Sequence, residues 1–173
     1  MPDIYKVIDQ ATDLLKRLKI KEPPVNVEAI AEKLKINIEH DDLDDDVSGF
    51  LILKKNNHTI VVNENHPSNR QRFTIAHEIG HFVLHANNGK ELFIDKKYAR
   101  DINSSTGEIN EEMEANSFAA ELLMPAQMLK DELVSSGFNV FDDMATFALA
   151  KKFRVSEQAL GYRLGKLDLG FDN

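Results

Sequence analysis

The chain contains no cysteine, which removes disulfide staples, thiolate metal ligands and a cysteine nucleophile together and agrees with a reducing compartment. No apolar run approaches bilayer-spanning length, and the first residues show no basic segment leading into an unbroken apolar stretch. The expectation is a cytoplasmic protein with no membrane partner. Positive charge is short as well: 21 Lys and Arg stand against 29 Asp and Glu, for a formal net charge of -8. That balance disfavours general affinity for nucleic acid or anionic lipid and allows attraction to a basic partner. Internal repeats and low-complexity linkers are also missing. What is present suffices for a core, since 173 residues with 42% hydrophobic content suit one globular body with at most a small appendage.

Without cysteine, any metal chemistry falls to histidine and carboxylate. Residues 70–85, RQRFTIAHEIGHFVLH, hold three of the six histidines. Within them His77-Glu78-Ile79-Gly80-His81 spells H-E-x-x-H on an expected helix. Side chains at i and i+4 stand one above the other, so His77 and His81 can offer two imidazoles to one ion. Glu78, about 100° round the helix, reaches a water held by that ion without ligating it. Phe73, Ile75, Ala76, Ile79, Phe82, Val83 and Leu84 make the helix apolar over most of its surface, as in a buried element. Thr74, His77, Glu78, His81 and His85 then form a polar stripe inside a core, where each group needs a partner.

A catalytic zinc typically takes three protein ligands and keeps one position for water. The third must come from elsewhere in the chain, and the acidic helix expected after Asn110 offers Glu111, Glu112 and Glu114. Glu112 shares a face with Ala115, Asn116, Ala119 and Leu123, which points inward. Glu114 lies with Ser117 and Glu121 on a face that reads as exposed. Periodicity separates Glu112 from Glu111 only weakly.

The rest of the chain frames this pair of helices. Ile4, Val7, Ile8, Ala11, Leu14, Leu15 and Leu18 predict an amphipathic first helix, and Val27, Ile30, Ala31 and Leu34 a short second one after Pro23-Pro24. Ile36 and Ile38 alternate into a strand. The acidic run 39–46 reads as a solvated loop, because Val47 occupies the place where a calcium loop turns on glycine. Residues 50–53 and 59–62 read as two strands, either of which is expected to offer an edge to an extended peptide. Ser68 and Gln71 match a capping box that starts the H-E-x-x-H helix near Asn69. Residues 87–107 read as a long polar loop, a lid beside the cleft, with one apolar patch at Leu92, Phe93 and Ile94. A short helix closed by Gly137 and a helix-turn-helix-like pair over 144–167 complete the chain.

The segments RQRFTIAHEIGHFVLH and EMEANSFAAELLMP together resemble the ImmA/IrrE family of metallo-endopeptidases, a branch of the gluzincin-like zinc peptidases. The likeness extends to PPVNVEAIAEKLKI, to the strand ending IVVN and to LAKKFRVSEQALGYRL. It implies Zn2+ held by His77, His81 and Glu112, Glu78 as general base, and Asn116 as hydrogen-bond partner of a ligand histidine. It also implies a protein substrate: a DNA-binding transcriptional repressor, often encoded nearby, cut in the cytoplasm to switch on genes under stress or in mobile elements. Many relatives carry a DNA-binding or sensor domain in addition, and none is expected here. For the oxyanion donor, His85, Tyr98 and Arg163 are candidates by chemistry, with Arg100 and Tyr162 beside them.

The expected architecture is α+β: a small antiparallel sheet packed on the H-E-x-x-H helix in zincin-like fashion, with a helix-turn-helix-like segment at the C-terminal end. Residues 1–137 form the metallopeptidase core, and residues 138–173 a helical segment packed on it. Two other functions compete. A DNA-binding regulator would read duplex with residues 148–164, but Arg154 stands where that motif usually has glycine and Arg163 is the one cation of EQALGYRL. A catalytically silent protein would only sequester a repressor, and intact His77, Glu78 and His81 argue against it.

Overall fold

Val7, Ala11, Leu14 and Leu15 are buried along one face of α1 (Ile4–Arg17), which Asp3 caps by accepting from the Lys6 amide. A shorter α2 (Val27–Lys33) is capped by Asn26 in the same way and buries Val27, Ile30 and Ala31. The computed structural model from which these elements are taken describes residues 2–55, 57–89, 91–96, 106–137 and 143–167. It has an α+β architecture in which four strands form one sheet beside the helices.

The sheet is mixed, where the sequence led to an antiparallel one. Strands β1 (Ile36–Asp41), β2 (Val47–Lys54), β3 (Asn57–Asn63) and β4 (Leu92–Lys96) lie in the order β1-β3-β2-β4. β1 runs parallel to β3, while β2 is antiparallel to both β3 and β4. The cause is the acidic run. Its first residues, Glu39 to Asp41, extend β1, and the remainder crosses the end of β3 to reach β2 on the far side. Asn63, fully buried at that end of β3, fastens the crossing: its Nδ2 donates to the carbonyls of Leu43, Asp44 and Val47 at 3.2, 3.2 and 2.9 Å. Asp42, Asp44, Asp45 and Asp46 are exposed, as expected of a solvated loop.

Two further expectations fail here. Residues 50–53 and 59–62 sit in β2 and β3, which are paired on both sides, so neither is an edge; among the described strands the edges are β1 and β4. β4 itself arises from the stretch read as a lid. Its alternation was too short to stand out between polar flanks: Leu92 and Ile94 are 48% and 43% exposed, whereas Phe93 between them is 5% exposed.

Helix α3 (Ser68–His85) carries the H-E-x-x-H residues across the sheet. Its start differs from the capping box. Pro67 occupies the N-cap and has no side-chain group to make a cap bond, while Ser68 falls one residue inside the helix. Gln71 instead donates to the carbonyls of Glu64 and His66 at 3.1 and 2.7 Å, binding the helix to the turn before it. Gly49 lets β2 pass close beneath α3: a Cβ there would lie 2.5 Å from the Val61 carbonyl oxygen and 2.7 Å from Thr74 Cγ2.

Helix α4 (Thr106–Leu123) begins a turn before Asn110, packs on α3, and leads through Met124 and Pro125 into α5 (Ala126–Ser136). Gly137, at φ 64°, closes α5 in the left-handed region. Then α6 (Asp143–Phe153) and α7 (Glu157–Lys166) add Leu149, Ala150, Phe153, Val155, Leu160 and Leu164 to the same buried cluster as the rest of the chain.

Between α6 and α7, Arg154 takes φ 54°, the left-handed conformation for which the helix-turn-helix reading looked for glycine. A buried guanidinium holds this turn. Arg72, on α3 and 5% exposed, donates from Nε to the Arg154 carbonyl at 3.3 Å and from Nη2 to the Val25 carbonyl at 3.0 Å. One side chain thus ties the segment before α2, helix α3 and the α6–α7 turn. Arg72→Met removes both bonds and leaves two carbonyls unserved, so the unfolding midpoint should fall by roughly 4–8 °C, corresponding to about 2 kcal/mol. A midpoint within about 1 °C of the unaltered chain in calorimetry would show that the contacts contribute nothing net.

Candidate active site

The three positions of H-E-x-x-H that bear chemistry lie within the buried stretch of α3, where every residue from Thr74 to His81 is below the surface. His77 and His81 are each 1% exposed and Glu78 is fully buried. One helical turn apart, the two rings meet edge to face with Nε2 atoms 3.0 Å from each other.

The third member comes from α4. Glu112 places Oε2 3.3 Å from His77 Nε2 and Oε1 3.1 Å from His81 Nε2, with 31% of its side chain exposed. Gly80, the spacer of the motif, makes this possible. A Cβ there would sit 3.2 Å from both the Cα and the carbonyl oxygen of Ala115 and 3.3 Å from Phe118 Cβ, so glycine lets α4 close on α3 next to the two histidines. Gly80→Ala gains helix propensity but has to push backbone aside, moving α4 by tenths of an ångström. Metal affinity should drop about tenfold with little change in stability, and unchanged affinity in a chelator competition would refute the positioning role.

The donor set fits a divalent cation. His77 Nδ1 lies 3.2 Å from Asn116 Oδ1; an amide oxygen only accepts, so Nδ1 carries a proton and Nε2 is the ring atom turned to His81 and Glu112. Two imidazoles and a carboxylate that converge on one point need positive charge between them. His77, His81 and Glu112 offer ligand atoms that all lie within 4.8 Å of one another, and theirs is the group of this kind among the described residues. Ligands about 2.0–2.1 Å from a tetrahedral ion stand about 3.3 Å apart, close to the separations of 3.0, 3.1 and 3.3 Å here.

Burial lowers the His81 pKa, with the Glu112 hydrogen bond pulling the other way, and so favours the neutral ring that a metal requires. Burial alone would raise the Glu112 carboxyl, but hydrogen bonds from His77 and His81 outweigh it and hold that group at about 2. Glu112 is therefore anionic throughout the neutral range.

The structure brings together five of the residues singled out from the sequence and separates the others. His77, Glu78 and His81 share the buried turn, Glu112 faces it, and Asn116 holds His77. His85 is one turn farther on, with Nε2 directed at Glu114 Oε2 at 3.5 Å and its ring stacked near Phe93. Arg163 is buried and engaged elsewhere: its Nη2 pairs with Glu121 and its Nε donates to the Met124 carbonyl at 3.1 Å. Tyr162 is 69% exposed on α7. Tyr98 and Arg100 lie outside the described residues. The face of Glu114, Ser117 and Glu121, read as exposed, proves mixed. Glu121 is 3% exposed because α1, α5 and α7 close over it.

Two residues escaped the sequence reading. Gly80 was seen only as a spacer, although glycine facing a ligand-bearing helix is a signal of close approach. Phe93 stacks on His81 with ring centroids 4.7 Å apart, so edge strand β4 runs directly against a candidate ligand. Among the described residues no helix is long and apolar enough to cross a membrane.

Comparison with known proteins gives the chain's fold and family. A solved structure, a Mycobacterium tuberculosis transcriptional regulator, superposes over 95% of this chain with a TM-score of 0.65 at 16% identity, a likeness of fold. This chain spans 47% of that longer one. A Bacillus phage phi105 protein described as "Uncharacterized immunity region protein 2" is 33% identical over 128 residues, 70% of either chain. The profile of the Peptidase_M78 family, described as the IrrE N-terminal-like domain, matches residues 31–165 and so takes in α3, the sheet, α4 and most of the C-terminal helical pair. The chain belongs to that family, of metallopeptidase type.

Proposed function

We propose that this protein is a zinc-dependent endopeptidase of the cytoplasm that cleaves a DNA-binding transcriptional repressor, encoded nearby, and so switches on the genes it controls. The observation that carries this reading is the convergence of His77, His81 and Glu112 beside a buried Glu78. Family membership supports the protease part. The phage relative, whose name places it in an immunity region, supports a substrate concerned with gene control.

Zinc bound by His77, His81 and Glu112 would polarise the scissile carbonyl and lower the pKa of the attacking water. The Glu78 carboxylate accepts that water's proton and passes it to the departing amine, one group serving as base and then as acid. Asn116 fixes the tautomer of His77 by accepting from Nδ1. Among the described strands β4 lies at the end of the sheet and runs against His81 through Phe93, and a substrate segment added beside it in extended form would pass the site.

The purified protein should contain about one equivalent of zinc and cut the neighbouring repressor, with loss of cutting in chelator and recovery on adding zinc back. Tight binding of the repressor without cleavage by the metal-loaded protein would favour the silent binder instead. Because an added strand must be extended, the cut should fall in a loop or a locally opened segment. Proteolysis mapped to the interior of a helix that stays protected from hydrogen exchange would rule out entry along β4.

A further inference from the structure

We propose that Arg163 and Glu121 are positioning residues for the third ligand, Glu112: their buried pair fastens α7 to α4 and sets the tilt at which α4 presents Glu112 to His77 and His81. The inference rests on reading those three residues as the metal site. Glu121 gathers contacts from three elements. It pairs with Arg163 Nη2 through Oε2, and its Oε1 accepts from Thr12 Oγ1 on α1 and from the Ala126 amide at the start of α5, each at 3.3 Å. Arg163 adds a bond from Nε to the Met124 carbonyl just past the end of α4. Both side chains are at least nine-tenths buried, so either one alone would be an uncompensated charge in the interior.

A lever connects this latch to the metal site. α4 comes close against α3 where Gly80 admits Ala115 and Phe118. Glu112 and Glu121 stand equally far to either side of that contact, about 7 Å each along the axis at about 1.5 Å per residue. A shift of the Glu121 end therefore becomes an opposite shift of similar size at Glu112, whose distances to the two histidines of 3.1 and 3.3 Å tolerate only tenths of an ångström. The other ligand-bearing helix is tied to the same place, since Arg72 of α3 bonds the Arg154 carbonyl in the α6–α7 turn. The C-terminal helical pair thus spans the ends of both helices that build the site.

The test measures zinc affinity by competition with a chromogenic chelator, well below the unfolding midpoint, for the unaltered chain, Arg163→Met, Glu121→Leu, Arg163→Lys and a control. Ile60→Val, in the middle of β3, supplies a loss of stability that touches neither helix end. Arg163→Met and Glu121→Leu should each weaken zinc binding about tenfold, while Ile60→Val leaves it within about twofold. Arg163→Lys keeps the charge but loses the forked contact, so it should fall between. If Arg163→Met does not fold, Arg163→Lys decides, and affinity equal to that of the unaltered chain overturns the proposal. A latch of purely structural importance would lower the midpoint and leave zinc affinity alone, which also overturns it. Absence of zinc binding by the unaltered chain would bring down the site reading and the latch together, whereas tight binding indifferent to all three latch variants would bring down the latch alone.

Discussion

Glu78→Gln should retain the fold and the metal while turnover of the repressor falls about 10²- to 10⁴-fold, the usual range for loss of a general base. Glutamine has nearly the shape of glutamate, so it leaves no cavity in a position that is fully buried. It also leaves His77, His81 and Glu112 untouched, since Glu78 is not one of the three that converge. What it cannot do is accept a proton, so binding and chemistry come apart. Zinc content and substrate affinity report the first, and single-turnover cleavage reports the second. Glu78→Gln protein that keeps its zinc and still turns over at more than about a tenth of the normal rate would remove Glu78 from the mechanism.

The site was legible because its strongest signals are local. An i, i+4 pair on an apolar helix says which two residues meet, whatever the rest of the chain does. Glu112 required tertiary information: periodicity turned it inward, but only the approach of α4 at Gly80 decides which acidic side chain reaches the histidines. The errors have the same origin. Ile36 and Ile38 announced a strand without saying which neighbour it would take, and its direction relative to β3 depends on a crossing held by Asn63. β4 was missed because only Leu92, Phe93 and Ile94 carry its alternation.

Glu121 was read as lying on an exposed face and Arg163 as a candidate oxyanion donor, yet the two form a buried pair. The burial of Glu121 is produced by α1 and α7, elements a hundred residues before it and more than forty after it, and no pattern within α4 encodes it. Arg163 illustrates the risk of assigning catalysis by residue type. Its chemistry suits an oxyanion, yet its donors serve Glu121 and the Met124 carbonyl.

The choice between neighbouring glutamates leads to the second large effect. Glu112→Gln should weaken zinc binding by about 10³-fold, roughly 4 kcal/mol, because a neutral amide replaces the anionic ligand. Glu111→Gln should leave zinc in place, since the Glu111 carboxylate accepts from Asn88 Nδ2 at 3.2 Å, beyond the C-terminal end of α3. The metal-free forms provide an independent check through pH. The folded Glu112 carboxyl is held at about 2, below its ordinary value of 4.5, so its contribution to stability is present above 4.5 and lost as pH falls toward 2. Metal-free Glu112→Gln should therefore be less stable than the unaltered apoprotein near neutrality, and the two should converge in acid, where the carboxyl is protonated and resembles the amide. The difference will be modest because the side chain is partly exposed to solvent. If Glu112→Gln kept its zinc while Glu111→Gln lost it, the third ligand would lie one residue earlier on α4, and the lever that joins Glu121 to the site would have to end there instead.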